Sequence, residues 1–221
     1  MSKYLIRTYP KRLWYVDEYL IPSMLKQGIR LADISVYNDE KFEGCLRSFI
    51  NACLTLPDDD EGTWFLQDDV CICKDFKVRT ELYDSGYVAG FSSERYDGVG
   101  RVGAVHIQDM WFTFPCLRIP NKVARQCAVW IDKYIIGNVV YKQFWESGRN
   151  DDWAFRTFVR QEYPNAVALN IAPNLVDHVD YLLGGGSGGK RPVEVRAQYW
   201  YDHDVVEALE KKILKNPKKL P

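Results

Sequence analysis

Three short apolar runs near the start of this chain are separated by stretches with helical spacing. That alternation narrows the fold more than any other feature. Tyr4-Leu5-Ile6-Arg7 reads as a first strand. Leu13 to Gln27 then carries Leu13, Val16, Leu20 and Met24 at helical spacing and stops at Gly28. Leu31 to Tyr37 reads as a second strand. Phe42 to Leu54 reads as a second helix, with Leu46, Phe49, Ile50 and Cys53 on one face, and Trp64-Phe65-Leu66 as a third strand. The order β-α-β-α-β is the signature of a parallel sheet with right-handed crossovers. The expected class is α/β: a single Rossmann-like domain with a central, mostly parallel sheet flanked by helices.

The third run continues as Gln67-Asp68-Asp69-Val70-Cys71-Ile72, so an apolar strand ends in two adjacent carboxylates. Open α/β sheets bind ligands in the crevice at the carboxyl ends of their strands. Two acids placed there repel each other unless a cation or donor groups stand beside them. Hard divalent ions are bound by one or two carboxylates together with substrate phosphates. A metal–diphosphate site is the functional reading of this motif. A solvated acidic turn is the inert one, and Asp58-Asp59-Asp60-Glu61-Gly62 reads as just such a connection.

At 221 residues, the chain is long enough for one sizeable core. Hydrophobic residues at 47% and charged residues at 27% suit a globular domain. No apolar run reaches the length of a membrane span, and the first residues lack the apolar core of a signal peptide, so a cytoplasmic location is expected. The six cysteines are scattered and mostly flanked by apolar residues, and Cys71-x-Cys73 is too tight for a zinc knuckle. They read as reduced thiols in or near the core. A net charge of −1 provides no global basic field to attract nucleic acid. The charge is uneven, because Lys211 to Lys219 forms a basic tail.

Further along, Gly86 to Phe91 and Gly103 to Ile107 look like strands. Asp109 to Pro115 is dense in aromatics, and Ile119-Pro120-Asn121 opens a helix through Ala124, Ala128 and Trp130. Asn150-Asp151-Asp152 opens another helix, with Asn150 or Asp151 as its cap. Ala166 to Asn170 is a late strand. Pro173 to Asp180 leads into Gly184 to Gly189, a linker or lid, and Asp204 to Leu214 is a terminal helix. The division expected is one domain with a first half (1–80), a second half (81–183), a glycine-rich lid or linker (184–191) and a terminal helix with its basic tail (204–221).

Four pieces now share one explanation: the β-α-β-α-β start, Gln67-Asp68-Asp69, Asp151-Asp152 at a helix start, and Pro173-Asn174-Leu175-Val176-Asp177-His178. Together, from Ile6 to about Ser187, they resemble the small metal-dependent glycosyltransferases of the GT-A fold, in particular phage and bacterial members. The strand-end acids look like the DxD-type motif of that family. Gln67 stands where the family's first acid would stand, which leaves open whether Asp68 meets the ribose or the metal. The resemblance implies a nucleotide-sugar donor, with a UDP-sugar first in rank, and Mn²⁺ or Mg²⁺ held by Asp69 and His178. It puts Thr8, Arg12, Asp39 and Asp68 at the donor nucleotide, and Lys190 and Arg191 over the diphosphate as part of the lid. It puts Asp109 and Trp111 at the acceptor. It makes Asp152, with Asp151 beside it, the general base that deprotonates an acceptor hydroxyl. A base there goes with inversion of the sugar, its absence with retention.

Two acceptors stay open: a hydroxymethylated pyrimidine in phage DNA, and a hydroxyl on a glycan or lipid-linked sugar. A nucleotidyltransferase ranks lower, because Thr8-Tyr9-Pro10-Lys11-Arg12 lacks the glycine of a phosphate loop. An inactive sugar-nucleotide-binding module is the non-enzymatic alternative.

Overall fold

The computed structural model describes residues 2–90, 103–106, 114–146, 151–171, 174–179 and 183. Its centre is a seven-stranded sheet. The first three strands to form it are β1 (Lys3–Thr8), β2 (Ile34–Asn38) and β3 (Gly62–Gln67). After a short β4 (Val70–Ile72) come β5 (Tyr87–Ala89), β6 (Gly103–His106), β7 (Cys116–Pro120) and β8 (Val167–Asn170). The order across the sheet is β2-β1-β3-β7-β5-β8-β6. β1 pairs in parallel with β2 and β3, and β5 with β8, while β7 and β6 run against their neighbours. The sheet is therefore mixed but mostly of one direction, as the opening alternation implies.

Strand periodicity distributes the side chains to two cores. In β1, Leu5 joins one cluster, while Tyr4 and Ile6 join the other. In β3, Phe65 joins the first, while Trp64 and Leu66 join the second. Burial on both faces is what makes these strands read as continuous apolar runs. The first core is covered by α3 (Cys45–Leu54), α5 (Asn121–Tyr134) and α7 (Asp151–Glu162). The second is covered by α1 (Leu13–Tyr15), which passes through a π-helical turn at Val16–Leu20 into α2 (Ile21–Lys26), and by α4 (Phe76–Leu82).

The helices fall on opposite faces for a topological reason. The crossover from β1 to β2 steps outward across the sheet, and the crossover from β2 to β3 steps back past β1. Two crossovers of the same hand in opposite directions must cover opposite faces. The carboxyl ends of β1 and β2 thus send their loops apart, and a crevice opens between them.

Several boundaries differ from the sequence reading. The second strand starts at Ile34 because Leu31–Asp33 forms a 3₁₀ turn, with Asp33 bonded to Lys3 at 2.6 Å and to Arg30 at 2.7 Å. The second helix starts at Cys45, not Phe42: Phe42 and Gly44 both have positive φ, at 54° and 87°, which no helix tolerates. The helix expected from Ile119-Pro120-Asn121 starts at Asn121, and β7 before it was not foreseen. Its antiparallel place between β3 and β5 comes from partners far away in sequence, and its central Arg118 is buried against Asp84 (2.8 Å) and the Gly86 carbonyl (2.7 Å). α4 was not foreseen. Nor was β9 (Val176–His178), which pairs with β4 in a separate two-stranded sheet. The six thiols are unbridged. Five are buried, and Cys45 is exposed at the start of its helix. No helix among the described residues is long and apolar enough to cross a membrane.

Phe65 is 1% exposed and packs against Phe49, with ring centres 6.0 Å apart. Phe65→Ala is expected to lower unfolding stability by about 3–5 kcal/mol. Urea denaturation monitored by circular dichroism checks this, with the midpoint falling and the slope unchanged.

Candidate functional site

The site is built at the carboxyl ends of β1, β2 and β3. The turn after β3 puts Asp68 and Asp69 side by side, both nearly buried. The loop after β1 turns tightly, with Arg12 N and Leu13 N both donating to the Tyr9 carbonyl at 2.9 and 3.2 Å. That turn brings the Arg12 guanidinium onto both acids. Its Nη1 donates to Asp68 Oδ1 at 3.0 Å and to Asp69 Oδ2 at 2.5 Å, and its Cζ lies 5.5 Å from the Tyr9 ring centre. Burial, and then the charge of Asp69, push the Asp68 carboxyl up to about 6, against the pull of Arg12. One guanidinium beside two carboxylates leaves the cluster one positive charge short of neutral.

Thr8 and Asp39 stand at the adjoining crevice. Asp39 N donates to the Thr8 carbonyl at 2.8 Å, which carries the β1–β2 ladder one step past the strands. Asp39 is 5% exposed, and its Oδ1 accepts from Glu43 N at 3.2 Å. Its carboxylate therefore organises the 39–43 loop. The ring of Phe42, on the same loop, meets Tyr9 edge-on with centres 5.7 Å apart. Asn38 Oδ1, at the end of β2, is buried without a hydrogen-bond partner among the described residues.

Arg7 joins this edge to α7. Its place in β1 gives it the parity of Leu5, so its side chain goes to the first core. There its guanidinium lies over Phe49 and Phe114, at 5.3 and 5.6 Å from the ring centres, and donates to Asp151 Oδ2 at 2.5 Å and to the Cys45 carbonyl at 3.2 Å. Both partners of the pair are under a tenth exposed. Asp151 is thereby committed to Arg7. Asp152 lies one residue on, its Oδ1 accepting from Trp153 N at 2.7 Å, and burial followed by the charge of Asp151 pushes its carboxyl up to about 6. The Cys45 thiol feels the charges of Asp151, Arg7, Asp68 and Asp69, so the start of α7 and the strand-end acids border one region.

The small sheet brings in the late segment. In β4–β9 the register sets His178 against Val70, and Val179 N donates to the Asp69 carbonyl at 2.7 Å. The backbone thus carries the His178 position to the residue next to Asp69, as the metal-site expectation requires. No group of three or more His, Cys, Asp or Glu side chains is set to hold a metal ion among the described residues. Carboxylate oxygens are donors that suit a hard divalent ion, and here Arg12 already places a positive charge between the two acids.

Of the residues singled out in the sequence, Thr8, Arg12, Asp39, Asp68 and Asp69 come together at one edge. Asp151 and Asp152 adjoin them through Arg7. Asp109, Trp111, Lys190 and Arg191 lie outside the described residues, as do the glycine-rich lid and the basic tail. Phe114, the last ring of the aromatic run, is a core residue, 4.9 Å from Phe49 centre to centre. Sequence reasoning missed Arg7. The signal was present, since a cation at the end of an apolar strand needs a buried acid.

No family model matches the chain, and no curated protein matches it. Among solved structures it is similar to HddC from Yersinia pseudotuberculosis, at 12% identity and a TM-score of 0.31, over 57% of this chain and 80% of that one.

Two outcomes test this geometry. Arg7→Met leaves the Asp151 carboxylate buried without its partner and is expected to cost about 3–5 kcal/mol, while Arg7→Met/Asp151→Leu recovers most of that loss. Equilibrium denaturation of the two variants decides it. The Asp152 carboxyl binds its proton more tightly folded than unfolded, so it weighs against the fold above about pH 6 and is neutral in its effect below about pH 4. Asp152→Asn is therefore expected to be more stable than wild type by about 1–2 kcal/mol at pH 7.5. That advantage shrinks to nothing by pH 4, as followed by melting temperature.

Proposed function

We propose that this protein is a glycosyltransferase that moves a sugar from a nucleotide-sugar donor to an acceptor hydroxyl. The observation that carries the reading is the Asp68–Asp69 pair. It ends β3 beside the β1–β2 crevice, with a single guanidinium between the two carboxylates. That edge suits a ligand carrying negative charge together with its own cation, and a nucleoside diphosphate with a divalent ion is such a ligand.

In this reading the donor's nucleoside lies along the ends of β1 and β2, against Thr8 and Asp39. Asp69 and His178 would hold Mn²⁺ or Mg²⁺, with Asp68 toward the ion or the ribose. When bound, the ion neutralises charge on the departing nucleoside diphosphate. Arg12 adds a fixed positive charge at the same place. Asp152 accepts the proton of the acceptor hydroxyl. Its raised carboxyl suits a base that works near neutrality, because it stays ionised at pH 7 yet holds a proton better than an ordinary aspartate. Arg7 and Asp151 fix the start of the helix that carries it. A UDP-sugar is the first donor to try. A hydroxymethylated pyrimidine in DNA and a glycan or lipid-linked sugar are the two acceptor classes. The Gly-rich segment with Lys190 and Arg191 is the proposed cover over the diphosphate.

The test is a thermal-shift screen of UDP-, GDP-, CMP- and dTDP-sugars with and without Mn²⁺, on wild type, Asp69→Ala and Asp152→Asn. One sugar nucleotide is expected to raise the melting temperature of wild type in the presence of Mn²⁺. Asp69→Ala loses that shift. Asp152→Asn keeps it but loses about 10²-fold or more in turnover. No shift with any donor would sink the transferase reading.

A further inference from the structure

We propose that Arg12 holds the place of the divalent cation while the site is empty, and gives it up only when a diphosphate arrives with the ion. The proposal rests on the metal–diphosphate reading of the site above. Its consequence is that metal and diphosphate bind as a coupled pair, each poorly alone.

Three observations support this exchange. First, Arg12 Nη1 bridges the two acids at 3.0 and 2.5 Å, so both carboxylates spend one oxygen on the guanidinium. A second cation cannot approach those oxygens without meeting a unit positive charge a few ångströms away. At an effective dielectric near 20, such a repulsion weakens binding by at least about tenfold. Second, Arg12 Nε is buried and has no hydrogen-bond partner among the described residues. A guanidinium offers five donors in a rigid fork, and an unmet buried donor is costly. Phosphate oxygens, which take two parallel donors from one guanidinium, would satisfy it. Third, the guanidinium has an aromatic support beside the acids. It sits over the Tyr9 ring, at the end of a four-residue turn that leads from β1 into α1. Rotating about its own side-chain bonds moves it off the acids while the ring face still supports it.

The exchange balances charge at each stage. Empty, the cluster carries two carboxylates and one guanidinium. Loaded, the acids face the divalent ion, and the guanidinium faces the diphosphate that the ion accompanies. The ion alone would leave two cations beside each other, and the diphosphate alone would face two carboxylates. By linkage, the factor by which pyrophosphate tightens Mn²⁺ is the factor by which Mn²⁺ tightens pyrophosphate.

The experiment is titration calorimetry of Mn²⁺ and of inorganic pyrophosphate, each alone and in the presence of the other, on wild type, Arg12→Met and Arg12→Gln. Wild type is expected to bind Mn²⁺ alone weakly and to tighten when pyrophosphate is present. Arg12→Met is expected to bind Mn²⁺ alone about tenfold more tightly than wild type and pyrophosphate about tenfold more weakly. Circular dichroism shows whether each variant is folded. If Arg12→Met is not, Arg12→Gln carries the test, because it removes the charge and keeps a polar side chain beside the acids; Mn²⁺ alone should then bind more tightly than in wild type. Mn²⁺ affinity that is unchanged or weakened in the folded variant overturns the proposal. Coupled binding of Mn²⁺ and pyrophosphate by a protein that takes no sugar nucleotide upholds the exchange and sinks the transferase reading. Sugar-nucleotide cleavage with an Mn²⁺ affinity indifferent to Arg12 does the reverse.

Discussion

The ion pair between Arg7 and Asp151 is the contact on which the rest of the arrangement leans. It spans 144 residues of sequence and ties the end of the first strand to the start of α7. Pairs of this kind are poor sources of stability, because removing two charges from water offsets most of their attraction. What they supply is position. The guanidinium is packed between two aromatic rings and the Cys45 carbonyl, so it accepts its carboxylate in one direction only. The start of α7 is thereby set against the sheet edge, and Asp152 is carried to the border of the region that the strand-end acids occupy.

The second constraint is electrostatic. Asp68 and Asp69 lie in a nearly dry pocket at the end of β3, where two carboxylates cannot both stay charged without help. Arg12 supplies one positive charge and leaves the balance negative. A structural acid cluster would be fully matched by cations or would lie in solvent. The cluster is held one charge short, at a crevice made by diverging loops, and that imbalance is what the proposed function builds on.

Much of this was legible in the sequence, and what was missing has a common cause. β1, the first helix and β3 were visible because their apolar spacing is local and their strands are buried on both faces. The acids were visible because two adjacent carboxylates follow an apolar run at the carboxyl end of a strand, where open α/β sheets present their ligand edge. The start of α3 was misjudged although Gly44 was there to mark it. β7 and β9 were not seen as strands because their identity depends on pairing with β3, β5 and β4 far away in sequence. Arg118 also interrupts the apolar pattern of β7, and Gly62 has no side chain because a Cβ there would lie 2.3 Å from the Arg118 guanidinium carbon. That Asp151 and not Asp152 pairs with a buried cation follows from where Arg7 points, which the local sequence does not show. Strand parity answers that only once the faces of the sheet are assigned.

The length of chain between Arg7 and Asp151 also has a meaning in time. During synthesis the first strand emerges early, and its cation must wait for a carboxylate that is made 144 residues later. At ordinary elongation rates that delay is roughly 7–30 s. Throughout it, the β1 edge holds an arginine that cannot be buried without its acid, so the first core cannot close in its native form. The nascent chain is therefore kept open at this edge until the start of α7 is made. A truncated or stalled product of this gene would expose apolar faces of the sheet and carry no finished site.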